Sequence, residues 1–362
     1  MPPPVETQQP NPNAQKEEEE EEAYYSYANN LAMSVVLPMA MRTAVELDVF
    51  EIIGKAGPGA KLSALEIATQ IPTRNPNAPA MLDRILRLLA SYRVLDCSVS
   101  DRERLYGISP VAKYFVSNED GVSLAPYLLL PLQSVYLEPK LKDAIIEGGN
   151  PFNMVHGTHI FEYVAARAGS QSFEALDEKK NLHCSTTHRT IVMKKIVESY
   201  KGFEQFERLV DVGGGLGMTI SVIISKYPHI KAINFDLPHV IKEAPSYPLF
   251  YDTGVEHLSG DMFQTIPKGD AIILKFIVKE CYEAIPEDGK VIVINGVLPV
   301  VLETNEAARD ISLLHVRLLI MRDDGATERT KEEFVALASG SGFKGVNVVC
   351  CVCNYYSMEL YK

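Results

Sequence analysis

The sequence of 362 residues contains no tryptophan, although it carries 17 Tyr and 13 Phe. Basic residues are in deficit: Lys and Arg total 35 against 47 acidic residues, a net charge of -12 and a pI near 5.2. That balance argues against a nucleic acid or an anionic membrane held by long-range attraction. Long apolar runs are missing too. The longest, Val122 to Leu137, is broken by Pro126, Pro131, Gln133 and Ser134, short of the ~18 apolar residues a membrane span needs. The start, Met1 to Lys16, is rich in Pro, Gln and Asn and has neither the basic region nor the apolar core of a secretory signal, so a cytoplasmic protein is expected. Cysteine is sparse, at 97, 184, 281, 350, 351 and 353. The C-terminal trio has no second Cys or His pair at ligand spacing; reduced thiols alternating between the faces of a strand are expected there, and no metal.

What is present suggests more than one domain. The acidic run Glu17–Glu22 carries about half of the excess charge and, with residues 1–22 as a whole, reads as a disordered tail. Ala28, Leu31, Ala32, Val35, Val36, Met39, Ala40, Ala44 and Leu47 then recur at helical spacing, with a kink expected at Pro38. Ser63 followed by Glu66 is a capping box that opens another helix. Met81, Leu82, Ile85, Leu86, Leu88 and Leu89 mark the next, and β-like pieces at 94–99 and 104–108 flank the turn Asp101-Arg102-Glu103. Helix, helix and two-stranded wing make a winged-helix pattern over 23–125. Without a basic recognition stripe, its role is packing or dimerisation rather than DNA binding. A helical stretch, 126–200, leads to a different texture over 201–362. Short apolar strands (209–212, 232–236, 271–275, 291–294) alternate there with helical segments, which implies a parallel sheet flanked by helices.

In this second part Asp211-Val212-Gly213-Gly214-Gly215-Leu216-Gly217 follows a strand and precedes a helix. Glycines there let the backbone take dihedrals closed to other residues and approach a ligand closely. The spacing is not the G-x-G-x-x-G of dinucleotide sites, which favours a ligand without a pyrophosphate. A glycine-rich turn alone is also what a ligand-free β-α turn shows. Asp236 and Asp261 add weight: each follows a strand end, where a carboxylate can accept the ribose hydroxyls of an adenosine. Adenosine bearing a sulfonium and an amino acid, S-adenosylmethionine, fits such carboxylates.

Leu209 to Gly215, Ile233 to Val240, Gly260-Asp261-Met262-Phe263 and Ile266 to Ala271 closely resemble plant small-molecule methyltransferases of the caffeic acid O-methyltransferase type. The likeness extends to Leu37-Pro38-Met39, Gly148 to Phe152, Met193 to Ile196 and Glu328-Arg329-Thr330. Val155 to Tyr163 and Cys350 to Asn354 are closer still to the anthranilate N-methyltransferase member of that family. The resemblance implies an α/β, Rossmann-like, S-adenosylmethionine-dependent domain preceded by a mainly helical winged-helix dimerisation domain, forming a homodimer that methylates a small aromatic acceptor. It assigns cofactor contacts to Gly213, Asp236, Asp261, Met262 and Lys275, and the acceptor pocket to Leu130, Tyr136, Phe161, His188 and Leu319.

The resemblance also exposes a gap. The family places a catalytic His and a Trp just after the Lys275 strand; here Lys275 is followed by Phe276-Ile277-Val278-Lys279, and the link to the next strand closes by Gly289. A crossover of roughly ten to twelve residues is the minimum, so no room is left for a catalytic loop. The absence of tryptophan belongs to the same loss. Leu249 to Thr253 is an insertion relative to the family. An altered splice or a misjoined gene model would produce both changes, and transcript reads across the junctions decide. Of the family's polar partners for that His, Glu328 is kept and the second position is Asn295. A phenol, with a pKa of ~10, benefits from a base, whereas an aromatic amine has a neutral lone pair and needs mainly positioning. Asn295 therefore suits an amine such as anthranilate. The alternative is a catalytically impaired homologue that binds cofactor and dimerises.

Overall fold

The computed structural model describes residues 12–119, 121–129, 138–160, 163, 188–242, 244, 254–274, 279–322 and 327–362. The chain divides into two compact units, Met1–Asp120 and Gly121–Lys362. The division lies ahead of the boundary expected at 125, and residues 126–200 belong to the second unit.

The first unit opens with the helix Pro12–Ala32. The glutamate run, expected in a disordered tail, is thus helical, in line with the high helix propensity of Glu and Ala. Pro38 does not kink a continuous helix. The chain turns at residues 33–35, and Pro38 falls in the first turn of Val36–Glu46, where its missing N–H costs nothing. That helix buries Ala40, Met41 and Ala44. The capping box at Ser63 forms: Ser63 Oγ accepts from the Glu66 N–H at 3.3 Å, and Glu66 Oε2 accepts from the Ser63 N–H at 2.7 Å. The helix Ala78–Ser91 buries Leu82, Leu86 and Leu89 on one stripe. Three strands, β1 (Lys61–Ser63), β2 (Leu95–Ser100) and β3 (Glu103–Ile108), form a sheet in the order β1-β3-β2. β1 was not legible as a strand because its three residues also open a helix. Asp101 and Arg102, both with positive φ, make the tight turn of the wing. Asp83 accepts from Arg104 Nη2 and from the Tyr106 hydroxyl, each at 2.6 Å, and ties the wing to the helix.

The second unit is built on β4 (Arg208–Val212), β5 (Lys231–Asp236), β6 (Val255–Ser259), β7 (Ala271–Leu274), β8 (Lys290–Leu298), β9 (Arg329–Thr330), β10 (Gly345–Val352) and β11 (Tyr355–Tyr361). The order is β10-β11-β8-β7-β4-β5-β6, with β9 paired to β8. β6, β5, β4, β7 and β8 run parallel, and β11 is antiparallel to both β8 and β10. The order reverses at β4, between β5 and β7, so the carboxyl end of β4 lies at the crevice where doubly wound sheets bind ligands. Leu209, Val210, Ile272, Ile273, Val291 and Ile292 are almost fully buried, as strands covered on both faces must be. The shortened link after β7 still carries a helix, Lys279–Ala284. Its Cys281 and Ala284, with Ile285 and with Phe334 and Ala338 of the helix Lys331–Gly340, pack on Val210, Ile272, Val291 and Val293. The second helix therefore covers sheet that a shortened crossover would otherwise bare. Of the C-terminal thiols, Cys350 is half-buried on β10 and Cys351 exposed, while Cys353 sits with Asn354 in the β10–β11 turn at positive φ. Two of the three therefore alternate on a strand, and the third does not.

Glu359 on β11, between β10 and β8, is buried and accepts from the Tyr200 hydroxyl at 2.6 Å and from Lys290 Nζ at 2.9 Å. Burial, and the carboxylate beside it, push the Tyr200 phenol well above its ordinary value. Tyr200→Phe is expected to cost about 1.5–3 kcal/mol, the worth of a hydrogen bond to a charged group, read as a lower urea midpoint at unchanged slope.

Candidate functional site

The turn after β4 is fixed from β5. Gly213 N–H donates to Phe235 O at 2.8 Å, Gly215 N–H donates to Asp236 Oδ2 at 2.8 Å, and Asn234 Nδ2 donates to Gly215 O at 2.8 Å. Gly213 and Gly215 hold φ of 66° and 65°, in the left-handed region where a side chain is strained. A Cβ on Gly215 would meet nothing within 4 Å, and one on Gly213 would meet only Met262 Cε at 3.6 Å. The turn thus presents bare backbone to an open cradle with Met262 at its side. At Gly214 the reverse holds: a Cβ would overlap Asn234 Oδ1 and the Asp211 carboxylate, so this glycine is required by packing.

Beyond the cradle an open recess of about 270 Å³ is lined by Phe235, Asp236, Leu237, Gly260, Asp261, Met262 and Phe263. Asp236 also accepts from the Leu237 N–H at 2.7 Å. Asp261 Oδ1 accepts from the Phe263 N–H at 2.9 Å, and its Oδ2 from Gln264 Nε2 at 3.1 Å. Among the described residues the lining holds two carboxylates, two aromatic rings and a thioether but no Lys or Arg. A donor set of this kind suits a ligand rich in hydroxyls and amines with a flat base, and not one bearing phosphates. Gly213, Asp236, Asp261 and Met262 are therefore brought together as the sequence suggested. Lys275 lies outside the described residues.

Asn295, on β8, is buried and donates from Nδ2 to Glu328 Oε2 at 2.9 Å. β9 pairs in parallel with β8 immediately beyond, Val297 opposite Arg329, and this pairing delivers Glu328 to the sheet. The Glu328 side chain is 3% exposed, and burial pushes its carboxyl up to about 7 against the opposing pull of Arg329. Among the described residues Asn295 is its hydrogen-bond donor. β8 and β4 are two strand spacings apart, roughly 10 Å, so this pair and the glycine cradle share one end of the sheet.

His188 stacks on Tyr127 with ring centroids 4.6 Å apart and lies 6.1 Å from the Tyr355 ring. Tyr355 stands opposite Gly296 on β8, which puts His188 at the end of the sheet that carries the Asn295–Glu328 pair. Burial lowers the His188 pKa despite the Asp310 carboxylate, so the ring is neutral near pH 7. Leu319 is 51% exposed, and its carbonyl accepts from Asn150 Nδ2 at 2.9 Å. Leu130, Tyr136 and Phe161 lie outside the described residues, as do the insertion at 249–253 and the break at 275–278. Residues that sequence reasoning missed include Tyr127, Arg317 and Tyr355, which have no common motif, and Asn234. The last carried one signal, an amide in the middle of an apolar strand. His257 lies 3.1 Å from Asn234 Nδ2 and packs on the Gly217 turn, with a lowered pKa caused by burial; it supports the turn and not the reacting end.

These features define a methyltransferase-type cleft on a doubly wound sheet, and comparison with known proteins agrees. The O-methyltransferase domain family matches residues 139–344, and the O-methyltransferase dimerisation domain matches 29–118. The chain is 53% identical over 355 residues to an anthranilate N-methyltransferase of Ruta graveolens, covering 93% of each. It is 48% identical over 356 residues to a caffeic acid 3-O-methyltransferase of Populus tremuloides, covering 93% of this chain and 94% of that one. Among solved structures, human N-acetylserotonin methyltransferase in complex with S-adenosylmethionine superposes with a TM-score of 0.73 at 19% identity, covering 94% of this chain and 97% of that one. A methyltransferase of calicheamicin biosynthesis gives 0.74 at 18% identity, covering 94% and 98%. The chain belongs to the plant O-methyltransferase family. The catalytically impaired alternative receives no support from these relatives.

A carboxyl whose folded-state pKa is raised holds its proton more tightly when folded. The stability it contributes is present below the ordinary carboxyl value and lost as pH rises through about 7. Glu328→Gln is expected to remove this loss. The stability of the variant relative to the parent should rise by on the order of 2–3 kcal/mol between pH 5 and pH 8 in paired denaturant titrations. Gly214→Ala should lower stability by about 1–3 kcal/mol in thermal denaturation, as overpacking does.

Proposed function

We propose that this chain is a cytoplasmic, homodimeric methyltransferase that moves a methyl group from S-adenosylmethionine to the nitrogen or oxygen of a small aromatic plant metabolite, and that an aromatic amine of the anthranilate kind is its better acceptor. The observation that carries the reading is the glycine cradle at the end of β4 beside a recess that bears two carboxylates and, among the described residues, no cation. Asp236 suits the ribose hydroxyls, Asp261 and Met262 the adenine, and the bare backbone of Gly213 and Gly215 the close approach of the amino-acid arm. S-adenosylmethionine, when bound, supplies an electrophilic methyl group on a sulfonium.

Much of the remaining task falls to positioning. The acceptor has to be oriented with its lone pair forward and water kept out. Glu328, with its carboxyl near 7, can take up a proton released at the acceptor, and Asn295 fixes the orientation of that carboxyl. A neutral amine needs no proton removed before it reacts, so an Asn–Glu pair serves it better than it serves a phenol. An amide at Asn295, where the family sets a second acidic partner, also avoids repelling an anionic acceptor.

Residues 23–125 are the proposed dimerisation domain, 126–200 the pocket-forming region and 201–362 the Rossmann-like transferase domain. Tyr24, Tyr25, Leu31, Met33, Val36 and Met39 are all exposed on the first helices, apolar surface that a partner subunit would cover. No helix among the described residues is long and apolar enough to cross a membrane.

Calorimetry is expected to show one S-adenosylmethionine site per chain. Asp236→Ala should weaken it at least a hundredfold, and unchanged affinity would move the site elsewhere. A transfer assay should give product from anthranilate with a higher kcat/KM than from caffeate. Cofactor binding with no product from either overturns the enzymatic reading.

A further inference from the structure

The helix Glu306–Met321 places Arg317 half-buried on the acceptor side of the second unit. Its Nη1 donates to the Tyr127 hydroxyl at 2.7 Å, and the guanidinium carbon stands 5.4 Å from the centre of that ring. His188 stacks on Tyr127 at an interplanar angle of 16°, and Tyr355 continues the wall 6.1 Å from His188. One ring, Tyr127, thus contacts the cation, and His188 and Tyr355 extend from it in a row of flat rings.

A guanidinium has five N–H donors, and among the described residues the phenol oxygen of Tyr127 takes one. Acids lie nearby but are engaged elsewhere. Asp310, whose charge reaches His188 and Tyr355, accepts from Asn354 Nδ2 at 2.8 Å. Glu328, whose charge also reaches Tyr355, is held by Asn295. Arg189 adds a second positive charge acting on the same two rings. A half-buried cation left without a carboxylate among the described residues, next to flat aromatic surface, suits an anion carried on a flat ring.

We propose that Arg317 is a specificity-determining residue that binds the carboxylate of an aromatic acid acceptor, with Tyr127, His188 and Tyr355 as the wall against which the acceptor's ring packs. Because Tyr355 pairs with Gly296, the residue after Asn295, an acid anchored at Arg317 lies at the end of the sheet that carries the Asn295–Glu328 pair. A neutral His188 lets the imidazole pack as a plain ring beside the Arg317 and Arg189 cations. The ligand is called an acceptor on the strength of the methyl-transfer reading; the carboxylate site itself does not depend on it.

The test is equilibrium binding of anthranilate and of its methyl ester, followed by calorimetry with the full-length protein. The parent is expected to bind the acid at least tenfold tighter than the ester. Arg317→Gln should weaken the acid by about ten- to a hundredfold, as loss of a charge-assisted pair does, and the ester by no more than about threefold. Arg317→Lys, which keeps the charge but loses the fork, should fall between. Equal affinity of the parent for acid and ester overturns the proposal. So does a variant that weakens both alike, the result expected if Arg317 is paired with an acid of its own chain. If Arg317→Gln does not fold, competition by benzoate against benzamide in the parent decides, and equal competition overturns the proposal. Acid-selective binding without turnover leaves the carboxylate site standing and removes the methyl-transfer reading. Turnover of acid and ester with equal KM removes the carboxylate site and leaves methyl transfer in place.

Discussion

The bonds between the β4 turn and β5 are the constraint on which the cofactor side rests. A loop whose backbone must face a ligand cannot satisfy its own polar groups on that face, so it has to be held from behind. Here the hold comes from one strand: Phe235 O receives the Gly213 N–H, Asp236 receives the Gly215 N–H, and Asn234 returns a donor to Gly215 O. The same strand then ends at the recess, so Asp236 both braces the turn and edges the site. Buried polar groups in such a network carry a high cost if left unpaired, which is why Gly214 has no room for even a methyl group.

The parallel sheet makes that arrangement possible. β4 and β7 are buried along nearly their whole length, and their pairing does not depend on how long the connection between β7 and β8 is, provided it can close. The helix Lys279–Ala284 closes it, and Phe334, Ala338 and Phe343 share the cover of that face with Cys281 and Ile285. Burial pushes the Cys281 thiol up to about 12, the behaviour of a packing residue and not of a nucleophile.

On the acceptor side the electrostatics follow from burial. Glu328 sits in a place that disfavours its charge, with an amide as its hydrogen-bond partner among the described residues, and so can hold or release a proton near neutrality. Arg317, kept charged by its intrinsic chemistry, stands among rings and phenols.

Much of this was legible in the residues. The glycine turn, Asp236 and Asp261 are close in sequence to the strands that carry them, so local pattern sufficed, as it did for the Ser63 capping box and the helix Ala78–Ser91. β1 and the helix across Glu17–Glu22 were not legible, because three residues carry no period and a charge run reads equally as tail or helix. The sequence by itself determined the family and the glycine turn with its two strand-end aspartates, since each is written in short contiguous stretches. Only the tertiary structure decided that Tyr127, His188, Arg317 and Tyr355 meet, and that Asn295 bonds Glu328 across 33 positions of chain. Those contacts join segments far apart in sequence through sheet register and helix packing, which no local periodicity encodes.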